Sequence, residues 1–467
     1  MSAPTAPRGP AQGPGLGQFV TSLTDRHADA TARQHVVDAI TDCIGCALAA
    51  RNEDLLAPLL TVYASSDQPS AAHPVPLLGT GRYAAPADSA VINGALAHAL
   101  DYDDISHPAY SHPSVGLVPA LLACATPATR GSDLVTAYIA GLQVYGQLGR
   151  ALNLTHYEQG WHPTGTFGSI ATAVATARLL GLDARQVETA ASIAASSSAG
   201  LRMNFGTMTK PLHAGNAARN GVLAAQLARA GFTATTDTFG HKYGFARVFT
   251  PAGPQLDTLA HWGDELEIAT EYGLCLKPYP ACAAVHTAVE AIVAIRAELG
   301  NSAAGIDRIE RIVVGASKLA FLALIYPDPV TPLQCKFSMQ YCVARALVSG
   351  DLVMAHFDPA ATADPSVRAW LPRIAMEDDP RVRDHPEMGA VLRAELKDGT
   401  SIERTVLIAA GKPERWFDRE RLWSKFVDCT RTGGLDDGWA RQVFEGLQGM
   451  DGEGAVGGLV ELLARPR

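Results

Sequence analysis

The feature that most limits what this chain can fold into is a helical apolar pattern that runs almost unbroken from Gly15 to about Asp264. Val36, Val37, Ile40, Ile44, Ala47 and Leu48 recur at spacings of three and four, with Thr31 as the candidate N-cap. Leu134, Tyr138, Leu142, Tyr145 and Leu152 do the same after Ser132. The stretches Ala171 to Leu180 and Thr189 to Ala199 are alanine-rich and have few polar faces. Helices of that kind are buried on most sides and pack closely. Gly181 and Gly231 are the expected stops. No fixed repeat period is visible, so the pattern predicts a large all-α domain and not a solenoid.

After about Glu271 the pattern changes. Ile309 to Ala316 reads as a strand. Val391 to Leu396 and Ser401 to Leu407 flank Lys397-Asp398-Gly399-Thr400, a hairpin signal. Helical stretches lie between them, at Ala281 to Leu299 and about Gln334 to Val348. From Asp418 the chain returns to helix, marked by Leu422, Phe426, Trp439, Val443, Leu447 and Leu459 to Leu463. The expected fold is mainly α, a large all-α helical domain plus a smaller α+β lid domain. The boundaries are a disordered tail over 1–14, the helical domain over 15–268 and the lid over 269–410. C-terminal helices over 411–467 pack back on the helical domain.

Composition narrows the class of function. Hydrophobic residues are 47% and charged residues 18%, enough for a large core. The net charge is -9 with no basic stripe, which argues against nucleic acid as a partner. No apolar run approaches the roughly 18 residues of a membrane span. The tail has no apolar h-region, so it is not read as a signal peptide. The 8 cysteines are scattered and read as reduced core thiols of a cytoplasmic protein. Cys43 and Cys46 form a C-x-x-C on an apolar helix face, where packing is the default role. No G-x-G-x-x-G follows a strand and no P-loop is present, so nucleotide binding is not expected.

Against this background one segment stands out: His98-Ala-Leu-Asp101-Tyr-Asp103-Asp104-Ile-Ser-His107-Pro-Ala-Tyr-Ser-His112-Pro113-Ser114. Three carboxylates and three imidazoles sit where one buried helix ends and the next begins. A residue before proline is pushed toward an extended conformation, and proline suits the first turn of a helix. His112-Pro113, His162-Pro163, Lys210-Pro211 and Lys277-Pro278 therefore read as four basic residues each placed just before a helix N-terminus. Helix N-termini attract anions. Four of them suggest a shared pocket for a substrate with several negative groups; the bland alternative is four independent helix starts with solvated side chains.

The residue types fit proton abstraction beside a carboxylate. Histidine exchanges protons near neutral pH. Lysine holds carboxylates and developing charge. Aspartate orients a histidine. Loss of water, loss of CO2 and return of the proton to the other face all fit. A metal site is the rival, since Asp101, Asp103, Asp104, His107 and His112 are ligand types, but no H-E-x-x-H spacing is present. Singly, Asp103 and Asp104 suit capping or loop roles as well as catalysis. His213 is placed to touch ligand or to pack, Tyr157 to approach His162 or to be a half-buried aromatic, and His286 to be a satisfied interior histidine.

Four motifs carry a resemblance. They are His98 to Ser114, Gly-Trp-His-Pro-Thr-Gly-Thr-Phe-Gly (160–168), Met-Thr-Lys-Pro-Leu-His-Ala-Gly-Asn-Ala-Ala (208–218), and Lys-Pro-Tyr-Pro-Ala-Cys with His286 (277–286). In this order they resemble the MmgE/PrpD family, from about residue 15 to 425. That family includes 2-methylcitrate dehydratase, cis-aconitate decarboxylase and iminodisuccinate epimerase. The resemblance implies a helical domain with an α+β lid, a homodimer, a small di- or tricarboxylate substrate, and no metal or organic cofactor. It implicates Asp101, His112, His162, Lys210 and Lys277 in catalysis or substrate binding; Tyr157, Thr209 and His213 are the further candidates for binding substrate. Many members have threonine after the Asp-Asp pair where this chain has Ile105, and the spacing from Asp104 to His112 differs, which leaves the role of His107 open. The expected activity is that of a lyase removing water; epimerisation and decarboxylation are the alternatives. A silent carboxylate-binding protein is the reading from another class.

Overall fold

Alanine and glycine let helix axes approach until backbones touch, and the helical part of the chain is built on that closeness. The computed structural model describes residues 15–72, 74–385 and 388–464. The expected tail over 1–14 lies outside them. By its internal contacts the chain divides into two units. The first takes the described residues up to Ala99, then Asp104–Leu274, and the chain from Gly438 onward. The second takes Leu100–Asp103 and Cys275–Asp437.

The first unit is helical. Its main elements are α1 (Ala30–Ala49), α2 (Pro86–His98), α3 (Ser114–Cys124), α4 (Gly131–Leu152), α5 (Pro163–Leu179), α6 (Ala184–Ser196) and α7 (Thr209–Arg229). A small antiparallel sheet, order β1-β3-β2, joins β1 (Ser65–Ser66), β2 (Val75–Leu77) and β3 (Arg82–Ala84). Asp29, not Thr31, caps α1: its side chain accepts from Ala32 N. Cys43 and Cys46 are buried in α1. Helix α7 packs on α5 and α2. A Cβ built on Gly215 of α7 would lie 2.2 Å from the Val91 carbonyl oxygen of α2, and one on Gly94 of α2 would lie 2.9 Å from Gly215 Cα. Only glycine permits that crossing.

The second unit is α+β. Its sheet runs β5-β4-β6-β7, from β4 (Ile309–Ala316), β5 (Ile374–Asp378), β6 (Ala390–Leu396) and β7 (Ser401–Val406). β4 pairs parallel to β5 and antiparallel to β6, and β6 antiparallel to β7. The expected hairpin closes at Asp398-Gly399, with Gly399 at φ 84 and Leu396 N donating to Thr400 O. Helices α8 (His286–Glu298) and α9 (Met339–Ser349) bury Ile292, Tyr341 and Leu347 with Ile312, Val314 and Leu392 of the sheet.

The chain returns to the helical unit later than residue 411. Helix α10 (Arg419–Thr432) stays with the second unit; α11 (Asp437–Gln448), from Gly438 on, and α12 (Gly457–Ala464) belong to the first. Amphipathic spacing shows that a helix is buried but not against what. Among the described residues no helix is long and apolar enough to cross a membrane.

Gly215→Ala puts a methyl into the Val91 carbonyl. Overpacking of this kind costs about 1–3 kcal/mol and more where backbone must move. The thermal midpoint of G215A should fall by several degrees; an unchanged midpoint would show that the two helices part freely.

Candidate active site

Two helix starts are laced together in the first unit. His162 is the N-cap of α5, extended at φ -98 and ψ 104, with Pro163 at the first helical position, as the His-Pro pair implies. Its N–H donates to Gly200 O at 3.0 Å, and Arg202 N donates to Gly160 O at 2.9 Å. His112 precedes Pro113, the N-cap of α3, and its N–H donates to Thr164 Oγ1 of α5 at 3.2 Å. Asp104 anchors the start of α3: Ser114 N donates to Oδ1 at 3.1 Å, the Ser114 hydroxyl donates to Oδ2, and Tyr138 Oη of α4 lies 2.6 Å from Ser114 Oγ. With the serine proton given to Asp104, Tyr138 is the donor of that last bond. Asp104 is thus a buried cap, not a solvated loop residue. Asp103 is fully buried as well.

The side chains on this frame form an imidazole cluster. His162 Nδ1 and His213 Nδ1 are 3.0 Å apart, so one ring donates and the other accepts. The His98 ring lies 4.4 Å from that of His112 and 6.1 Å from that of His162. Phe205 meets His162 edge-on at 4.9 Å, and Lys210 Nζ lies 5.5 Å from the Phe205 ring. Lys210 is 8% exposed and His162 2%. Burial, followed by the Lys210 ammonium and the imidazoles of His98, His213 and His112, holds His162 well below the ordinary histidine range. Burial and then Lys210 lower His213 too. Two imidazolium rings cannot share the 3.0 Å contact without opposing N–H groups, so the pair carries at most one charge.

His156 supports this floor. It is fully buried, Nε2 lies 2.8 Å from Thr166 Oγ1, and Nδ1 lies 3.2 Å from Phe249 O. The carbonyl can only accept, so Nδ1 carries the proton. Burial pushes His156 down to about 4.

The second unit holds its own expected site residues. Lys277 Nζ donates to Asp101 O at 2.7 Å and lies 3.3 Å from Asp101 Oδ2. Asp101 is left-handed, at φ 56. His286 Nε2 meets Ala281 O at 3.1 Å, and burial followed by Lys277 lowers it to about 3. It is a satisfied interior histidine.

The set of four helix starts holds for His112 and His162 only. Lys210 lies inside the first turn of α7, which begins at Thr209. Lys277 lies in irregular chain well ahead of α8, whose first residue is His286. Tyr157 stacks on the Arg202 guanidinium at 3.6 Å and faces Tyr110 at 5.4 Å. His107 sits in the turn closed by Ser106 N to Ser111 O, its ring 6.2 Å from Tyr272. Sequence reasoning assigns no site role to His98 or Phe205. Phe205 lies in a loop without a motif, and His98, though it opens the segment rich in carboxylates and imidazoles, ends an apolar helix whose spacing gives it no role. His98 and His112 are also metal-ligand types. A zinc or magnesium site needs further protein or water donors, which puts a chelator in any activity test.

Residues 15–256 match the model of the MmgE/PrpD N-terminal domain and residues 279–442 that of the C-terminal domain. Cis-aconitate decarboxylase of Homo sapiens is 30% identical over 354 residues, 73% of this chain and 72% of that protein. The enzyme of that name from Mus musculus is 28% identical over 354 residues, 73% and 71%. That of Aspergillus terreus is 27% identical over 417 residues, 84% of each.

A histidine held neutral in the fold and free to protonate when unfolded withdraws stability as pH falls. For His156 the loss starts near 6.5 and is complete near 4, about 3 kcal/mol in all. His156→Gln should lower the midpoint at pH 7 and flatten its fall between pH 6.5 and 4. A slope equal to that of the wild type would show that His156 is not a buried neutral base.

Proposed function

The chain belongs to the MmgE/PrpD family and is an enzyme of the lyase type, and on that premise we propose that it acts on a small di- or tricarboxylate by proton transfer at the carbon beside a carboxylate. The observation that carries this reading is the buried His162–His213 pair beside Lys210. An imidazole pair moves a proton, and a lysine holds a carboxylate next to it. His162 or His112 takes or gives the proton, with the other as its counterpart. Asp101 and Lys277 are the proposed catalytic residues of the second unit. Tyr157, Thr209 and His213 bind it. No metal or organic cofactor enters the proposal, and the working form is a homodimer.

Loss of CO2 from an unsaturated tricarboxylate such as cis-aconitate is placed first, because the curated relatives carry that activity in their names. This reverses the order taken from family membership alone, where dehydration leads. In the step, the bond from carbon to a carboxylate breaks and CO2 leaves. The electron pair stays on the substrate, and an imidazolium protonates the carbon that holds it. Dehydration is the second reading. It is favoured by Ile105, a side chain without a hydroxyl between Asp104 and His112.

The cluster also fixes a pH dependence. Burial, Lys210 and the neighbouring imidazoles hold His162 well below the ordinary histidine range. Substrate carboxylates add negative charge beside it and raise its affinity for a proton. A group whose proton affinity rises on binding makes binding tighter at low pH and weaker as pH passes its value in the complex. Substrate affinity, measured by calorimetry, should therefore fall as pH rises, with a proton taken up on binding. Affinity independent of pH would remove His162 from contact with the charge.

Proton NMR in D2O with cis-aconitate, 2-methylcitrate and amino- or imino-dicarboxylates, with and without chelator, tests the reading. A product that has lost CO2 and carries solvent deuterium is the expected result. An alkene formed by loss of water would select the dehydratase, and exchange without elimination the epimerase. Loss of turnover with chelator would mean a metal enzyme; no exchange with any acid would leave a binding protein. Lys210→Ala should lower kcat/KM about 100-fold, the loss of a charged contact of about 3 kcal/mol, with the circular dichroism spectrum unchanged. Wild-type turnover in K210A would sink the anchor role.

A further inference from the structure

In the second unit three buried lysines reach three consecutive backbone carbonyls. Lys336 Nζ donates to Leu100 O at 2.6 Å, Lys277 Nζ to Asp101 O at 2.7 Å, and Lys425 Nζ to Tyr102 O at 2.7 Å. All three side chains are buried, at 7%, 2% and 6% exposure. Lys425 also donates to Lys277 O at 2.9 Å and sits 4.0 Å over the Tyr102 ring. Tyr102 Oη donates to Pro278 O at 3.4 Å. The three lysines come from distant parts of the sequence: Lys277 lies in irregular chain ahead of α8, Lys336 precedes α9, and Lys425 is in α10.

This arrangement exceeds what packing a loop requires. Burying an ammonium is costly unless its donors are used, and a fold needing only a loop tether has apolar side chains for the purpose. The residue between the carbonyls held by Lys336 and Lys425 is Asp101, which is left-handed at φ 56 and meets Lys277 with its carboxylate at 3.3 Å. Aspartate enters left-handed backbone more readily than most residues, and the contacts on either side decide whether it is held there. The carbonyls of Leu100 and Tyr102 lie on either side of that residue. Fixing both restrains the backbone flanking Asp101, and with it the direction of its Cα–Cβ bond.

We propose that Lys336 and Lys425 are positioning residues: they hold the carbonyls on either side of Asp101 and so aim its carboxylate, together with Lys277, for the reaction. The kinetic part rests on the proposed activity; the structural part does not. Lys425 ties the device together, because its second bond, to Lys277 O, fixes the backbone of the lysine that meets Asp101. Lys336 and Lys425 do not touch substrate; they act through the pair.

The test uses K336M and K425M in the full chain, with K336Q and K425Q as milder variants should the methionine forms fail to fold. The first readout is hydrogen exchange of the peptide covering residues 99–104 in the free enzyme. The second is kcat and KM with whichever acid the wild type turns over. Exchange in that peptide should rise at least tenfold, with the β4–β6 peptides unchanged. The kcat should fall at least tenfold, with KM within about threefold. Unaltered exchange would overturn the clamp. A raised KM with normal kcat would overturn the positioning role, because it would mean that these lysines bind substrate themselves. A wild type inert toward every acid would refute the proposed activity, while the exchange readout would still decide the clamp.

Discussion

Taking basic groups out of water is the constraint on which the rest of this structure depends. An imidazole can answer burial by giving up its proton; an ammonium resists that and must have its donors filled. The first unit uses the first answer. His156, His162 and His213 are all displaced below the ordinary histidine range, with burial as the largest cause in each. The second unit uses both: burial lowers His286, while its lysines take the other answer. Lys277, Lys336 and Lys425 are each given backbone carbonyls, and Lys277 a carboxylate as well.

The geometry of the imidazoles is held by backbone more than by side chains. His162 has its N–H on Gly200 O, and His112 its N–H on Thr164 Oγ1. A rotation of either ring therefore leaves its Cα in place. Behind them, the Gly94–Gly215 crossing sets the spacing of α2 and α7, the helices that carry His98 and His213. Small residues far from any chemistry thus set how closely those two imidazoles can approach their neighbours. Asp104, Ser114 and Tyr138 do the same for the start of α3.

Most of the helices were legible because burial leaves its period in the sequence: the expected strand at Ile309–Ala316 and the turn at Asp398-Gly399 fall where patterning puts them. The His-Pro pair at 162 located a helix start because proline at the first helical position lacks only an N–H that has no partner there. The Lys-Pro pair at 210 misled for the same reason. The first four N–H groups of a helix are all without intrahelical partners, so proline is tolerated deeper in the first turn, and Pro211 sits there with Lys210 inside the helix. His98 stands in the outstanding segment, but its place among the imidazoles was not legible, because spacing puts it at a helix end without showing which rings it meets. The lysines at 336 and 425 were illegible because their partners are carbonyls, which every residue has. Spacing likewise could not assign α10 to its unit, since amphipathy records that a face is covered and not what covers it.

On the proposed chemistry, decarboxylation, dehydration and epimerisation make one common demand: excess electron density on a carbon beside a carboxylate must be tolerated for the lifetime of an intermediate. Imidazoles and ammoniums meet that demand whichever group departs, so the basic set does not choose the reaction. The choice lies in what stands opposite the departing group. A hydroxyl leaves as water only if an acid reaches it, and CO2 leaves only if its carboxylate is turned out of the plane of the developing charge. A proton returns to the other face only if a second acid waits there. Side chains that give no proton bear on that choice by withholding one, and the same buried bases can then serve enzymes whose products differ.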